Sequence, residues 1–595
     1  MASRSPSRSQ TPSRAVTPCP QTPSRLVIAP SLRPTHSLSN LHVHMSGPSP
    51  GGATSSHTGE ESSASSVINV DMGEGILVPE ADAEVGLADA EAGNVYVIAA
   101  SVPAGDEASK RALRDHLRRT LNKRDSSTAD VYPPRQYFIL TDAGKPVFTR
   151  HLIIHESDDL ASIVGIMQAL ISVFLDDGDK IRCINAGNTR ISILLRPPLY
   201  YACASSWGEP ESVTRSHLEY LHLQVLSVVT VAQLRRIFER RTNFDLGRLL
   251  GGSEVLVHSL LERAENDMAM GTSSLHCLKL DSVVRSRAAN HLVPTSKMKD
   301  LLYLVLVARG RVITLARPKK HSIHPADLHI LLNTAHSPSI VNSSASASWL
   351  PLCLPKYNPS AFVHVFVTFL QSDAQSEPAG APSPEHRTKS RIYPSGDTPH
   401  SIPAPEVDGT KPESSLLDRG GSSGADIGLL CVSANGDFES IRAWCGVVIE
   451  RLENDGTLAN IEMAIRNGLT EYCVADLSIP GLRHFIYKSR SHVQITSPIF
   501  EEPYDDVKER RRLIILYQTL YDGIHAKSGQ NLPLKLQYIR TEKEAVMGWI
   551  TQPFEMYIAV SQGLPKSAAI SAANAVARWV KKEEGRLFLR DAPIF

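Results

Sequence analysis

Apolar residues along this chain switch between the two-residue period of a half-buried strand and the three-to-four-residue spacing of an amphipathic helix, in the same order three times. Strand, strand, helix, strand, strand, strand, helix begins near Arg135, again near Met298 and again near Tyr472. A repeat of this size decides the architecture, because each copy is one small α/β unit.

In the first copy, apolar runs at 136–140 and 147–150 flank the turn-rich segment Thr141-Asp142-Ala143-Gly144-Lys145, the pattern of a hairpin. Ser157-Asp158-Asp159 then supplies a capping oxygen and negative charge to a helix whose apolar positions include Leu160, Ile163, Val164, Met167, Leu170 and Ile171, and Asp177-Gly178 ends it. Strands are expected at 181–185, 189–195 and 199–204, and a long helix from 211 to about 241. The second copy places strands at 301–308, 311–317, 352–355, 362–370 and 428–433, with helices at 325–333 and 438–452. In the third the strands are 472–477, 483–487, 534–539, 545–550 and 555–560, with helices at 507–524 and 568–581.

The division that follows is 1–93 as a disordered regulatory segment, 94–133 as a connector strand and helix, 134–268 as the first unit, 269–468 as the second and 469–595 as the third. Residues 373–425, rich in Pro, Ser, Gly and Asp, read as a disordered insertion in the second unit. The first 66 residues are rich in Ser, Pro and Thr and carry no acid before Glu60. Ser5, Thr11, Thr17 and Thr22 each precede proline beside an arginine, so phosphorylation would turn a basic tail acidic.

Charge changes the picture little. Lys plus Arg equals Asp plus Glu at 62 each, which gives no whole-chain reason to bind nucleic acid. Eight cysteines are scattered singly with no paired spacing, the usage of reduced thiols. No apolar run reaches the roughly 18 to 20 residues a bilayer requires, so membrane work is expected to be peripheral.

No phosphate-binding loop, nucleophile elbow or zinc-protease motif occurs, and no enzyme activity, cofactor or metal is expected. His321, His324 and His329 are spaced as imidazole ligands can be, but Pro325 between them is also the first residue of a helix. Two surfaces stand out for binding. The first helix carries Ile166, Ala169 and Val173 on a second apolar side, so it is covered either by its own unit or by a partner protein. Trp349, after a Ser-rich loop, is either an interface anchor or a strand-end core residue, and the basic Arg317, Lys319 and Lys320 either touch lipid phosphates or face water.

The hairpin 138–150, the segment Ile181-Arg182-Cys183-Ile184-Asn185-Ala186-Gly187, the run 317–329 and Trp349-Leu350-Pro351-Leu352-Cys353-Leu354-Pro355-Lys356-Tyr357-Asn358 together resemble the monensin-sensitivity vacuolar fusion family, in the same order. The resemblance implies three longin domains, each a five-stranded antiparallel sheet with flanking helices, behind a disordered N-terminal tail. It also implies one subunit of a heterodimeric guanine nucleotide exchange factor for the late-endosomal and vacuolar Rab GTPase. The implied partner is the calcium-caffeine-zinc sensitivity longin protein, with Ile166, Ala169 and Val173 facing it. Recruitment by an early-endosomal Rab and phosphoinositides, with Trp349, Arg317, Lys319 and Lys320 as candidate contacts, follows from the same resemblance. So do roles in endosome maturation, autophagy and vacuolar protein transport, and a cytoplasmic location, peripheral on late endosome, multivesicular body, vacuole and pre-autophagosomal membranes. Asp142, Lys145, Asp158, Asp159, Asn185 and Asn188 are the candidate contacts to the GTPase, although helix capping also accounts for Asp158 and Asp159. The alternative is a non-catalytic longin adaptor or scaffold subunit.

Overall fold

The computed structural model describes residues 110–113, 115–116, 132–150, 157–179, 181–241, 244–294, 298, 300–343, 345–370, 427–529, 532–590 and 592–595. Ser5, Thr11, Thr17, Thr22, the expected strand at 94–101 and the insertion 373–425 lie outside the described residues.

The first sheet is built from β1 (Gln136–Thr141), β2 (Pro146–Arg150), β3 (Cys183–Ala186), β4 (Thr189–Arg196) and β5 (Leu199–Ser205), in the spatial order β2-β1-β5-β4-β3. Every neighbouring pair is antiparallel. Helix α1 (Ser157–Asp176) lies between β2 and β3 in sequence, and α2 (Glu211–Val228) follows β5. Because side chains alternate along a strand, Phe138 and Leu140 face α1 residues Ile163, Met167, Leu170 and Ile171. Tyr137 and Ile139 instead face α2, where Leu218, Leu221 and Val225 pack. The sheet is therefore sandwiched, one helical layer on each face.

The helix expected over 211–241 is interrupted. Thr230 starts a second helix, α3 (Val231–Arg240), through a capping box: the Gln233 amide donates to the Thr230 hydroxyl at 3.2 Å, and the Thr230 amide donates to the Gln233 side chain at 3.4 Å. Among the helices that precede the second sheet are α4 (Glu254–Asn266) and α5 (Ser282–His291), with β6 (Leu275–His276) between them; Leu246–Leu250 and Met268–Gly271 are short helical turns.

The second sheet repeats the order: β8-β7-β11-β10-β9, from β7 (Leu301–Ala308), β8 (Arg311–Ala316), β9 (Ser348–Leu352), β10 (Val363–Leu370) and β11 (Ile427–Ser433). The strand expected at 352–355 lies earlier, and its pairing with β10 puts Trp349 inside the ladder, opposite Phe366. Helices α6 (Pro325–Ala335) and α7 (Phe438–Asn454) cover the two faces.

The third sheet reads β14-β15-β16-β12-β13-β6, from β12 (Leu482–Ser489), β13 (Gln494–Thr496), β14 (Leu536–Arg540), β15 (Glu544–Ile550) and β16 (Phe554–Ser561), with α8 (Val507–His525) and α9 (Lys566–Lys582). The expected strand at 472–477 is not one. Val474–Leu477 is a 3-10 turn in which the Cys473 amide donates to Asp476 Oδ2 at 3.0 Å and Ser478 takes φ +53°, local carboxylate chemistry that competes with a sheet ladder. The hairpin begins one element later, and its second strand is only three residues long, too short to show alternation. Apart from β6, the third sheet has the same order as the other two.

Residues 267–280 stitch the three units together. Met268 and Ala269 are buried in the third core with Ile486, Tyr517 and Tyr557. Leu275 and His276 pair in parallel with Gln494 and Ile495, and Cys277 bridges Val312 of β8. Met270 joins Tyr220, Leu260 and Ala264 of the first unit and Ala326 and Ile330 of the second. A fragment 469–595 is consequently expected to be unfolded by circular dichroism while 267–595 folds. The shorter piece lacks Met268, whose burial alone is worth about 2 to 3 kcal/mol, together with the strand that covers the open edge of β13. A cooperative melt of 469–595 alone would contradict this.

Candidate interaction surfaces of the first and second units

Helix α1 presents its large apolar residues inward, except Leu175 in its last turn, which is 41% exposed. Ile166 is 9% exposed and packs with Ile163, Val164 and Met167 against the sheet, so it is not available to a partner: positions 163, 166, 167, 170 and 171 form one inward stripe at helical spacing. Ala169 and Val173 are half-buried, and the outward positions are Ala161, Ser162 and Gly165 in the first half of the helix and Leu175 and Asp176 at its end. A Cβ placed on Gly165 would meet nothing within 4 Å. The outer side of its first half is thus made of small residues over which another backbone can pass closely. Part of the cover comes from the connector: Leu113 packs on this core, and Lys110 Nζ pairs with Asp177 at 2.6 Å and lies 4.7 Å from the centre of the Phe174 ring.

The six polar candidates do not form one site. Asp142 and Lys145 sit on the β1–β2 turn, where Gly144 takes φ +77°. That tip leans on the middle of α1, since Gln168 Nε2 donates to the Asp142 carbonyl at 2.8 Å, and the Asp142 amide donates to the Pro198 carbonyl at 2.9 Å. The Asp142 side chain is exposed, and Lys145 is paired with Asp245 at 3.6 Å. Asn185 and Asn188 belong to the β3–β4 turn, where Arg190 Nε donates to Asn185 Oδ1 at 3.2 Å. Thr141 pairs with Leu199 and Arg196 with Leu199, whereas Ala186 pairs with Thr189 at the other end of β4. Three strand spacings and a strand length put the two turns roughly 25 Å apart. Asp158 and Asp159 open α1, which starts after β2 ends beside Tyr137, so the helix starts at the Asn188 end of the sheet.

Behind the sheet lies a group of buried charges that no short-range sequence pattern reveals. Arg135 is 1% exposed, donates through Nε to Glu209 Oε1 at 2.8 Å, and stacks 3.8 Å from the centre of the Trp207 ring. Burial alone would lower the pKa of Arg135, but Glu209, joined by Tyr137, Glu265 and Cys203, outweighs it and holds the pKa above its ordinary value. Arg511 of the third unit approaches the same indole at 5.0 Å, and Ser212 Oγ donates to Asp522 at 2.5 Å, so Trp207 and the start of α2 anchor the first unit to the third.

In the second unit, Arg317 and Trp349 are not neighbours. Arg317 follows edge strand β8 and Trp349 lies on the opposite edge strand, β9, about 20 Å across the sheet. Trp349 stacks on His364 with ring centres 5.2 Å apart and meets Phe438 edge-on at 5.6 Å, which makes it a packing residue. The basic run is held by the last residues: the Arg317 amide donates to Pro593, the Phe595 amide to Arg317, and the Lys319 amide to Phe595, at 3.0 to 3.2 Å. The side chains of Lys319 and Lys320 remain exposed. The three histidines have separate tasks. His324 Nδ1 accepts from the Ala326 amide at 3.1 Å and caps α6, His329 Nε2 meets the Ser274 carbonyl at 2.7 Å, and His321 lies edge-on to Tyr357.

Comparison with known proteins accounts for this threefold plan. Residues 135–260, 299–379 and 481–584 match, in that order, the first, second and third longin domains of FUZ, MON1 and HPS1. The chain is 46% identical over 466 residues to a vacuolar fusion protein MON1 of Cryptococcus neoformans, covering 78% of this chain and 66% of the relative, so it spans about two thirds of that protein's length. It is 32% identical to the chicken (Gallus gallus) vacuolar fusion protein MON1 homolog A over 76% of this chain and 72% of the relative. With the Takifugu rubripes protein SAND the identity is 31%, over 76% of each. The chain, three longin domains in series, belongs to the MON1 family of vacuolar fusion proteins.

Proposed function

We propose that this protein is one subunit of a guanine nucleotide exchange factor for the late-endosomal and vacuolar Rab GTPase, working with a second longin-built protein of the calcium-caffeine-zinc sensitivity type. The observation that supports the reading is on the first unit: the outward side of the first half of α1 is small and open at Ala161, Ser162 and Gly165, and the hairpin tip with exposed Asp142 is fastened against the helix by Gln168. A longin partner takes the helix, and the GTPase reaches the polar tip beside it.

Exchange needs no covalent step. A surface that binds the nucleotide-free GTPase more tightly than the loaded one shifts the population toward release, and the gain is limited to that difference in affinity. The same reading gives the complex a place on late-endosomal, vacuolar and pre-autophagosomal membranes, recruited by an early-endosomal Rab and phosphoinositides, with Lys319 and Lys320 as exposed contacts.

Because the polar candidates split between two ends of the sheet, the test separates them. With the purified heterodimer and a Rab loaded with fluorescent nucleotide, Asp142→Lys combined with Lys145→Glu is expected to slow release about tenfold or more, as charge reversal at an interface does. Asn185→Ala combined with Asn188→Ala is expected to change it less than about twofold. Unchanged release in the first pair would remove the hairpin tip from the site.

A further inference from the structure

Gln168 joins the outward side of α1 to the hairpin tip. Spacings of four and three residues place Ala161, Gly165 and Gln168 along one side of the helix, and Gln168, half-buried, reaches from that side across to the β1–β2 turn. Its Nε2 donates to the Asp142 carbonyl at 2.8 Å. Its Oε1 is shielded from solvent and has no hydrogen-bond partner among the described residues, so the amide serves there as a donor. The stem is seated as well: a Cβ on Gly144 would fall 3.2 Å from Gln168 Cγ, and the φ of +77° at Gly144 is one that favours glycine. The tip therefore rests on Gln168 through a hydrogen bond and through close packing at its glycine. Its other tethers come from elsewhere in the unit. The Asp142 amide donates to the Pro198 carbonyl at 2.9 Å, and Lys145 pairs with Asp245 at 3.6 Å. The second pair is more than a third exposed on both sides and holds little in water.

We propose that Gln168 is a positioning residue for nucleotide exchange, coupling the α1 face on which the longin partner packs to the hairpin tip that meets the GTPase. The role rests on the exchange function proposed for this unit and names the side chain through which one contact sets the geometry of the other. A hairpin tip held only by its own strands swings about them. Exchange by differential affinity needs the tip charges in place before the nucleotide-free GTPase arrives, because ordering them on contact costs part of the affinity that drives release. A partner backbone passing over Gly165 lies about one helical turn from Gln168. It restricts the glutamine rotamer, and the bond to the Asp142 carbonyl passes that restriction to the tip. Partner and GTPase binding are thereby linked through one shared side chain, and by linkage each strengthens the other.

The test measures release of fluorescent nucleotide over a range of Rab concentrations, with the heterodimer of the full chain and its longin partner. Gln168→Met keeps the length of the side chain and removes the donor. It is expected to lower the maximal rate about five- to tenfold, the worth of one hydrogen bond made in the exchange-competent state. The half-saturating Rab concentration and the affinity for the partner are expected to stay within about twofold, at an unchanged melting temperature. Gln168→Glu, which sets a carboxylate against the Asp142 carbonyl, is expected to slow release at least as much. In the Asp142→Lys, Lys145→Glu background, Gln168→Met is expected to cost less than about twofold more, because residues acting through one contact are not additive. A glutamine that only stabilises the fold would slow both backgrounds equally. An active parent with either variant at the parental rate, a loss explained by weaker partner binding alone, or losses that multiply in the tip background overturns this role and leaves the exchange function standing. A parent complex that leaves release at its intrinsic rate removes both.

Discussion

Replacing Arg135 by alanine is expected to destabilise the protein by about 3 to 5 kcal/mol, because it leaves Glu209 charged, buried and unpaired. Glu209 is 2% exposed, and among the described residues its carboxylate is ion-paired only with Arg135 Nε at 2.8 Å, while Arg190 donates to its backbone carbonyl. The same substitution strips the guanidinium from the Trp207 face and so loosens the contact through which Arg511 of the third unit reaches the first. The intact pair is a different matter. Two of the guanidinium nitrogens, Nη1 and Nη2, have no acceptor among the described residues, so desolvation offsets much of the attraction. Arg135→Met combined with Glu209→Leu should therefore recover most of the loss. Urea titration followed by tryptophan fluorescence distinguishes the two. A single alanine variant as stable as the parent would show that the pair does not hold this corner.

Acidification from pH 7.5 to pH 5.5 is expected to cost about 4 kcal/mol and to lower the melting temperature by roughly 10 °C, through three histidines buried as neutral rings. His217 lies against Tyr137, and burial followed by Arg135 holds its pKa well below the usual value. His329 is pushed down to about 4 by burial and by Arg263, although Asp267 acts in the opposite sense. His484, stacked on Phe500, is pushed down to about 3 by burial. The unfolded chain takes up these protons near pH 6.5 and the folded one does not, so the unfolded state binds more protons and stability falls as pH drops through 6.5, by somewhat more than about 1 kcal/mol per ring at pH 5.5. Half-buried His222, at about 4, adds in the same direction. A melt independent of pH between 7.5 and 5.5 would mean that these rings are not buried together in solution. Since the three belong to different units, replacing one ring by glutamine should remove only its own share.

The architecture was readable wherever period and punctuation agreed. Ser157-Asp158-Asp159 with the spacing of Ile163, Met167 and Leu170 located α1, and Asp142-Ala143-Gly144 located the first hairpin. The third hairpin was misplaced because β13 has three residues and Asp476 closes a local turn just before it. The binding residues were less legible for a topological reason. Asp142 and Asn185 both look like turn residues of one small unit, but the order β2-β1-β5-β4-β3 sends their turns to opposite ends of the sheet. Ile166 looked outward because a count of apolar positions cannot tell a wide inward stripe from a second face. Arg135 and Glu209 are 74 residues apart, and only the fold makes them a pair.

The measurement closest to the central claim is release of fluorescent nucleotide from the late-endosomal Rab by the complex of this chain with its longin partner. Exchange by differential affinity predicts accelerated release that saturates with complex and is absent for either subunit alone. Stable binding of the Rab with release at its intrinsic rate would contradict it, and would make the protein an adaptor.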